Sequence, residues 1–351
     1  MFKKEIASLR VLARKTLGRA SFSKYNHPED RRNHIDSSEI HSLKKELDLY
    51  KQKDKRNRID SAELHSLKEE LDLYKRFQMV VPGHFYSPIV DLNSEEKVDR
   101  MSLKEIENSG INLNLDYQYS LLFSTSFQEI YEKLPFSDTK SSAFRYFYTN
   151  PAFSYSDAIC LFFMLVSKSP SKVIEVGSGY SSALMLDTFE NFFEVRPEIT
   201  FIEPYPDLLL SLMNHDDKKN CSILSQNLQK IPLETFKILM SSDILFIDST
   251  HIAKAGSDVN YIFSKILPIL NKGVIIHFHD IFLDFEYPEI WIKEGRNWNE
   301  SYVLRSFLQC NNDYEILLFN SLVNSIYSDE VRAKYPLMSK NHGGGIWIRK
   351  K

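Results

Sequence analysis

The stretch that most constrains this chain is Lys172-Val173-Ile174-Glu175-Val176-Gly177-Ser178-Gly179-Tyr180-Ser181-Ser182-Ala183-Leu184. It reads as a buried strand, a glycine turn and the first turn of a helix. Val173, Ile174 and Val176 form a short β-branched run, while Gly177 and Gly179 allow backbone geometry and close ligand approach that a Cβ would obstruct. The helix beginning near Ser181 points its free N–H groups and positive dipole end into a crevice at the carboxyl end of the strand. A nucleotide-type site is one expectation; a plain tight turn is the other reading of the glycine pair taken alone. A dinucleotide fingerprint would want glycine at the place of Ser182. Here the strand instead carries Glu175 two residues before the first glycine, which favours a cationic ligand.

Downstream segments give this stretch a context. Strands are expected near 172–176, 199–203, 221–225, 243–248 and 273–279, with helices from 181, 206, 231 and 258. Such alternation predicts a parallel sheet with helices on both faces and binding at the carboxyl ends of its strands. Phe201-Ile202-Glu203-Pro204 is a strand ending in an acid, and Asp243 to Asp248 and Gly273 to Asp280 are two more strands ending in acids.

Together these segments resemble the class I S-adenosylmethionine-dependent methyltransferases, in which an acid-x-Gly-x-Gly loop holds the methionine end and sulfonium of the cofactor. The resemblance covers about Tyr155 to Lys351 and is to the bacterial branch similar to metal-dependent O-methyltransferases of the catechol and macrolide-sugar types. It implies an α/β, Rossmann-like seven-stranded sheet whose closing strands, Tyr314–Phe319 and Gly345–Arg349, include an antiparallel last strand. An α-helical N-terminal region precedes that sheet. It also implies S-adenosylmethionine as cofactor, with Glu175, Gly177, Gly179, Tyr180, Ser181, Glu203, Gln226 and Asp248 around it. Glu203 would accept both ribose hydroxyls, and Gln226 stands where the family contacts adenine, although a polar strand end explains Gln226 equally.

The chain divides into four expected regions. Residues 1–24 hold seven basic residues against Glu5, with Phe2, Ile6, Leu9, Ala13 and Leu17 at helical spacing. This basic amphipathic helix suits either an anionic membrane surface, as a peripheral contact, or docking on its own protein. Residues 25–78 contain a tandem repeat, Asn33–Tyr50 recurring nearly unchanged as Asn57–Tyr74. Asp36 with Glu39, and Asp60 with Glu63, stand at capping-box spacing. Ile40, Leu43, Leu47, Tyr50 and Leu64, Leu67, Leu71, Tyr74 make narrow stripes of coiled-coil width. The expectation is a helical hairpin or an arm that joins protomers in a homo-oligomer. Residues 79–150 read as a mixed helical lid region, with the loop Val81 to Pro88 carrying His84, Phe85 and Tyr86 and a mostly helical, aromatic stretch from Tyr117 to Asn150. Residues 151–351 are the methyltransferase-like domain.

The formal charge of -3 and the 43% hydrophobic content are those of an ordinary soluble protein. Cys160, Cys221 and Cys310 form no C-x-x-C pair, so neither a disulfide framework nor a structural zinc is suggested, and a cytoplasmic setting fits, with a membrane-peripheral one as the alternative that residues 1–24 offer. No apolar run approaches the ~20 residues of a membrane span. The core has no basic stripe and no Asn/Asp-Pro-Pro-Tyr/Phe motif, so no nucleic-acid partner is expected.

Methyl transfer needs a base for the acceptor proton. His251, three residues beyond Asp248 at a strand end, has an imidazole that can accept a hydroxyl proton near neutral pH. In the resembled O-methyltransferases the base occupies this offset, and their metal ligands match Asp248, His279 and Asp280 by place. A divalent metal, magnesium or manganese, is therefore implied, although imidazole suits manganese, iron or zinc better than magnesium. Alternatively, His279 and Asp280 bind substrate, or His277 and His279 fill a strand end. The aromatic and polar segment Phe285 to Glu300 suits a sugar ring or a packed insertion. The leading expectation is an O-methyltransferase acting on a sugar, glycan or related small-molecule hydroxyl. Its rivals are a non-catalytic scaffold on the same fold and a nicotinamide-dependent oxidoreductase.

Overall fold

Parallel strands covered by helices on both faces lack the alternation of a half-solvated sheet and read as continuous apolar runs. Ile244-Leu245-Phe246-Ile247 is such a run; Ile275 to His279 departs from it at two histidines, and every residue in both is buried. In a computed structural model, which describes residues 42, 44–46, 48, 49, 61–76, 79–91 and 100–351, they are two of seven strands in one sheet. The strands are β1 (Lys172–Val176), β2 (Glu198–Ile202), β3 (Ser222–Leu224), β4 (Ile244–Ile247), β5 (Ile275–His279), β6 (Tyr314–Phe319) and β7 (Gly345–Lys350). Their order is β3-β2-β1-β4-β5-β7-β6. β1 to β5 are parallel, and β7 runs antiparallel between β5 and β6. The seven-stranded fold with an antiparallel last strand is the one expected.

The period-two geometry of a strand sends alternate side chains to opposite faces. Val173, Phe201, Phe246 and Trp347 enter one core, beneath the helices Tyr155–Lys168 and Tyr180–Phe192. Ile174, Leu245, Ile247, Phe278 and Ile348 enter the other, with Ile262, Ile266 and Leu304. The strand order turns back at β1 and β4, so connections leave the sheet in opposite directions there and a crevice opens beyond the strand ends.

Two local expectations are corrected. The stretch from Tyr117 is helical only over Leu115–Leu122 and Thr125–Tyr131; residues 132–154 form no regular element. Pro135 and Pro151 interrupt the helical backbone, and tertiary contacts order the segment instead. Phe136, Tyr146, Tyr148 and Phe153 are buried in the first core. The Asn150 side chain closes a turn by accepting from the N–H groups of Ala152 and Phe153. The helix expected from 231 is one turn, Glu234–Lys237.

Residues 100–289 and 298–351 form one compact unit, and the described residues up to 91 belong with 290–297 to a second. In the second unit the helix Ser61–Arg76 contains most of the second repeat copy. Leu64, Leu67, Leu71 and Tyr74 are its less exposed positions, matching the expected stripe, while the residues between them face solvent. The loop after this helix turns at Gly83, where φ is +82°. Phe85 stacks on His84, lies tilted against Tyr86 and is 81% exposed. The basic helix of residues 1–24, both capping pairs' aspartates and the first copy's apolar stripe lie outside the described residues. Among the described residues no helix is long and apolar enough to cross a membrane.

A buried ion network fastens the irregular segment to the sheet's helical cover. Arg145 donates to Asp187 at 2.6 Å and to Asp217 at 2.8 Å, and Asp187 also accepts from the Tyr146 N–H. The two carboxylates are 0% and 1% exposed. Replacing Arg145 with Met leaves both aspartates with a lost cationic partner, so destabilisation of about 3–5 kcal/mol is expected from the shift in urea midpoint. A midpoint equal to the wild type's would refute the structural role given to this network.

Candidate active site

The loop after β1 is pressed against the end of β4. The Gly177 N–H donates to the carbonyl of Ile202 at 3.0 Å, and the Asp248 N–H donates to the carbonyl of Val176 at 2.8 Å. Gly177 has φ +78°, and a Cβ built there would lie 1.8 Å from the Asp248 carbonyl oxygen. Only glycine satisfies both the left-handed backbone and this approach.

The expected cofactor residues gather around that loop. The buried Glu175 carboxylate accepts from the hydroxyls of Ser181, at 2.5 Å, and Ser182. Its acceptor capacity is thus directed at least partly to the first turn of helix Tyr180–Phe192, rather than wholly to a cationic ligand. The Ser182 hydroxyl also accepts from the Gly179 N–H at 3.0 Å. Glu203, just beyond β2, accepts from the Ser178 N–H at 3.1 Å and from the Tyr205 N–H at 2.9 Å. It therefore ties the glycine loop to the next strand's exit and brings a carboxylate to the crevice. Tyr180 opens the helix, with its ring edge-on to Phe147. Gln226 is exposed beyond β3.

At the ends of β4 and β5, one imidazole stands among three carboxylates. His251 is buried, with Nε2 3.3 Å from Asp248 Oδ1 and 3.4 Å from Asp280 Oδ2. Its Nδ1 lies 2.8 Å from Oε2 of Glu300. Burial alone would push its pKa down. The hydrogen bonds to Asp248 and Glu300 and the charges of Glu300 and Asp280 outweigh it and raise the pKa to about 10. Burial in turn raises Glu300, against the lowering effect of His251. The two effects pull the pair's proton in opposite directions. With Asp248 and Asp280 added on the imidazole's other side, the charged imidazolium is the favoured state of this arrangement.

Asp248, His251 and Asp280 each offer a ligand atom within 4.8 Å of the others'. His279 stands outside that group. Its Nε2 is 3.7 Å from Asp280 Oδ1, and its ring packs on Phe153. His277 is stacked between Phe246 and Trp347, and burial, followed by the neighbouring His279, pushes its pKa well below the usual range. Its ring is packed against aromatic neighbours at the strand end.

Sequence reasoning did not single out Glu300 or the Gly344 contact. The Asp280 N–H donates to the Gly344 carbonyl at 2.6 Å, and both Asp280, at φ +56°, and His251, at φ +60°, hold the left-handed backbone that side chains ordinarily avoid. At the end of the aromatic and polar segment, Trp298 packs on the His251 ring at 4.4 Å. Asn299 Oδ1 accepts from the Ala253 N–H at 2.5 Å. No local sequence signal links residue 251 to residue 300.

Residues 174–281 match the family model described as a methyltransferase domain. An uncharacterized protein of Archaeoglobus fulgidus is 30% identical over 165 residues, which are 45% of this chain and 72% of that protein. Solved structures similar to the chain include an S-adenosylhomocysteine-bound methyltransferase of Podospora anserina, 15% identical, covering 73% of this chain and 99% of that one with a TM-score of 0.36. Another is the O-methyltransferase TomG of Streptomyces achromogenes with S-adenosylmethionine, 13% identical, covering 70% and 99% with a TM-score of 0.37. The chain belongs to one family with the archaeal protein, and its residues 174–281 carry a methyltransferase domain.

Proposed function

We propose that the protein transfers a methyl group to a hydroxyl oxygen of a small-molecule acceptor, in the class the sequence resemblance implies, a sugar or glycan. The observation that carries this reading is the placing of His251 between Asp248 and Asp280, at the strand ends beside the glycine loop. S-adenosylmethionine supplies an activated methyl group on a sulfonium, so the protein's part is to hold the reactants in line and remove a proton. Glu203, at the end of β2, suits vicinal ribose hydroxyls, and the glycine loop admits a ligand against its backbone. His251 Nε2 faces the space between the two aspartates and is the atom suited to receive the hydroxyl proton.

The same donor set fits a divalent cation. Two carboxylates and an imidazole suit manganese, iron or zinc better than magnesium, and Asp248, His251 and Asp280 would hold it, in place of the set with His279. Such a cation would act as a Lewis acid toward an acceptor oxygen. In this second reading His251 is a ligand, and the concentration of negative charge around Nε2 is what favours it.

Titration of chelator-treated protein is expected to give saturable binding of S-adenosylmethionine and S-adenosylhomocysteine but not NAD. Glu203→Ala removes a charged hydrogen-bond acceptor, a loss of about 1.5–3 kcal/mol, and should weaken S-adenosylhomocysteine binding by roughly 10- to 100-fold. Equal affinity in wild type and variant would remove Glu203 from the cofactor site.

His251→Ala should lower kcat by about 10²- to 10⁴-fold while leaving cofactor affinity intact. The pH profile separates the two readings. A histidine base whose pKa is raised to about 10 is protonated below that value. In chelator-treated enzyme kcat/KM should therefore climb about tenfold per pH unit between about pH 7 and about pH 9. Rates that are flat over that range, and restored only by manganese, would favour His251 as a ligand over His251 as a base.

A further inference from the structure

We propose that Glu300 is the positioning residue for His251, an inference that rests on the functional reading above. The domain match ends at residue 281, so Glu300 lies beyond it. Glu300 opens the helix Glu300–Leu308 and is 0% exposed. Its Oε2 meets Nδ1 of His251 at 2.8 Å, while Oε1 has no hydrogen-bond partner among the described residues. A buried carboxylate with a single described hydrogen-bond partner is costly to hold unless that partner needs it.

The backbone repeats the connection. The N–H groups of Asn299 and Glu300 both donate to the His251 carbonyl, at 3.0 and 3.1 Å. Asn299 grips Ala253 through its side chain, and the Trp298 ring covers the imidazole face. Three consecutive residues thus act on the loop by different means: a ring against the face, an amide on the neighbouring backbone, and a carboxylate on Nδ1. The carboxylate is the contact that chooses which ring nitrogen points inward. A carboxylate only accepts, so it requires the proton on Nδ1 and leaves Nε2 toward Asp248 and Asp280. This orientation is needed whether Nε2 takes a proton or binds a cation; in either role an outer carboxylate fixes the imidazole's rotation and tautomer.

The test compares Glu300→Ala and Glu300→Gln in the full chain, with wild type as reference. In Glu300→Ala kcat should fall by about 10- to 100-fold, with KM for S-adenosylmethionine and affinity for S-adenosylhomocysteine unchanged. The amide oxygen of Glu300→Gln can still accept from Nδ1, so this variant should recover part of the lost kcat. A crystal structure of Glu300→Ala should show the His251 ring turned, with Nε2 no longer between Asp248 and Asp280. An unmoved ring would overturn the proposal whatever the rate, because Trp298 and the backbone would then suffice. Cofactor affinity and kcat falling together in both variants would also overturn it, since that pattern belongs to a general folding role. If Glu300→Ala is insoluble, Glu300→Leu, which fills the same volume without an acceptor, takes its place under the same criteria. A turned ring in a protein whose wild type transfers no methyl group would uphold the positioning and defeat the functional reading.

Discussion

A single close approach, the backbone of Gly177 against the carbonyl of Asp248, sets the geometry on which the site depends. It requires the loop after β1 and the exit of β4 to share one small volume, which is possible only because β1 and β4 are adjacent and parallel. The Asp243 carboxylate fixes the other end of the same pair, accepting from the N–H groups of Ser171 and Lys172 and from that of Met240. With both ends tied, the register of β1 on β4 determines where Asp248 lies relative to the glycine loop. The Glu203 contact to the Ser178 N–H extends the frame to β2.

Electrostatics then shape what stands on that frame. Asp248, Asp280 and Glu300 converge on one buried imidazole, and their fields overcome the burial that would otherwise keep it neutral. Two residues of this group, His251 and Asp280, hold left-handed backbone. Such conformations persist where the surroundings over-determine them. Here the Asn299 and Glu300 N–H groups hold the His251 carbonyl and the Gly344 carbonyl holds the Asp280 N–H. The strain and the charge are therefore concentrated at the same point, at the open end of the sheet.

Much of this was legible residue by residue. The apolar runs of β1, β4 and β5 announced buried parallel strands, and acids at the ends of β2, β4 and β5 marked the crevice. The helical stretch from Tyr117 was overextended because its aromatic spacing satisfies a helix and a packed irregular segment alike. Phe136, Tyr146 and Tyr148 reach the core from a chain path that Pro135, Pro151 and the Arg145 ion network dictate. The composition of the segment near Trp298 suits an acceptor and a packed insertion alike; the ring, amide and acid at 298–300 are directed to the His251 loop.

By itself the sequence determined the alternation of strands and helices, the glycine turn and the chemical character of each strand end, because these follow from local backbone preference and short-range periodicity. Tertiary structure alone decided that β7 inserts between β5 and β6, and that Glu300 meets His251 across 49 positions of sequence. It also decided which histidine stands with the aspartates: His251, from a loop, joins Asp248 and Asp280 more closely than His279, the sequence neighbour of Asp280. Adjacent residues in a strand or its exit point in different directions, whereas packing can bring one side chain from each of several distant loops to a single point. The identity of such a point depends on the close-packed geometry of the whole sheet and its cover.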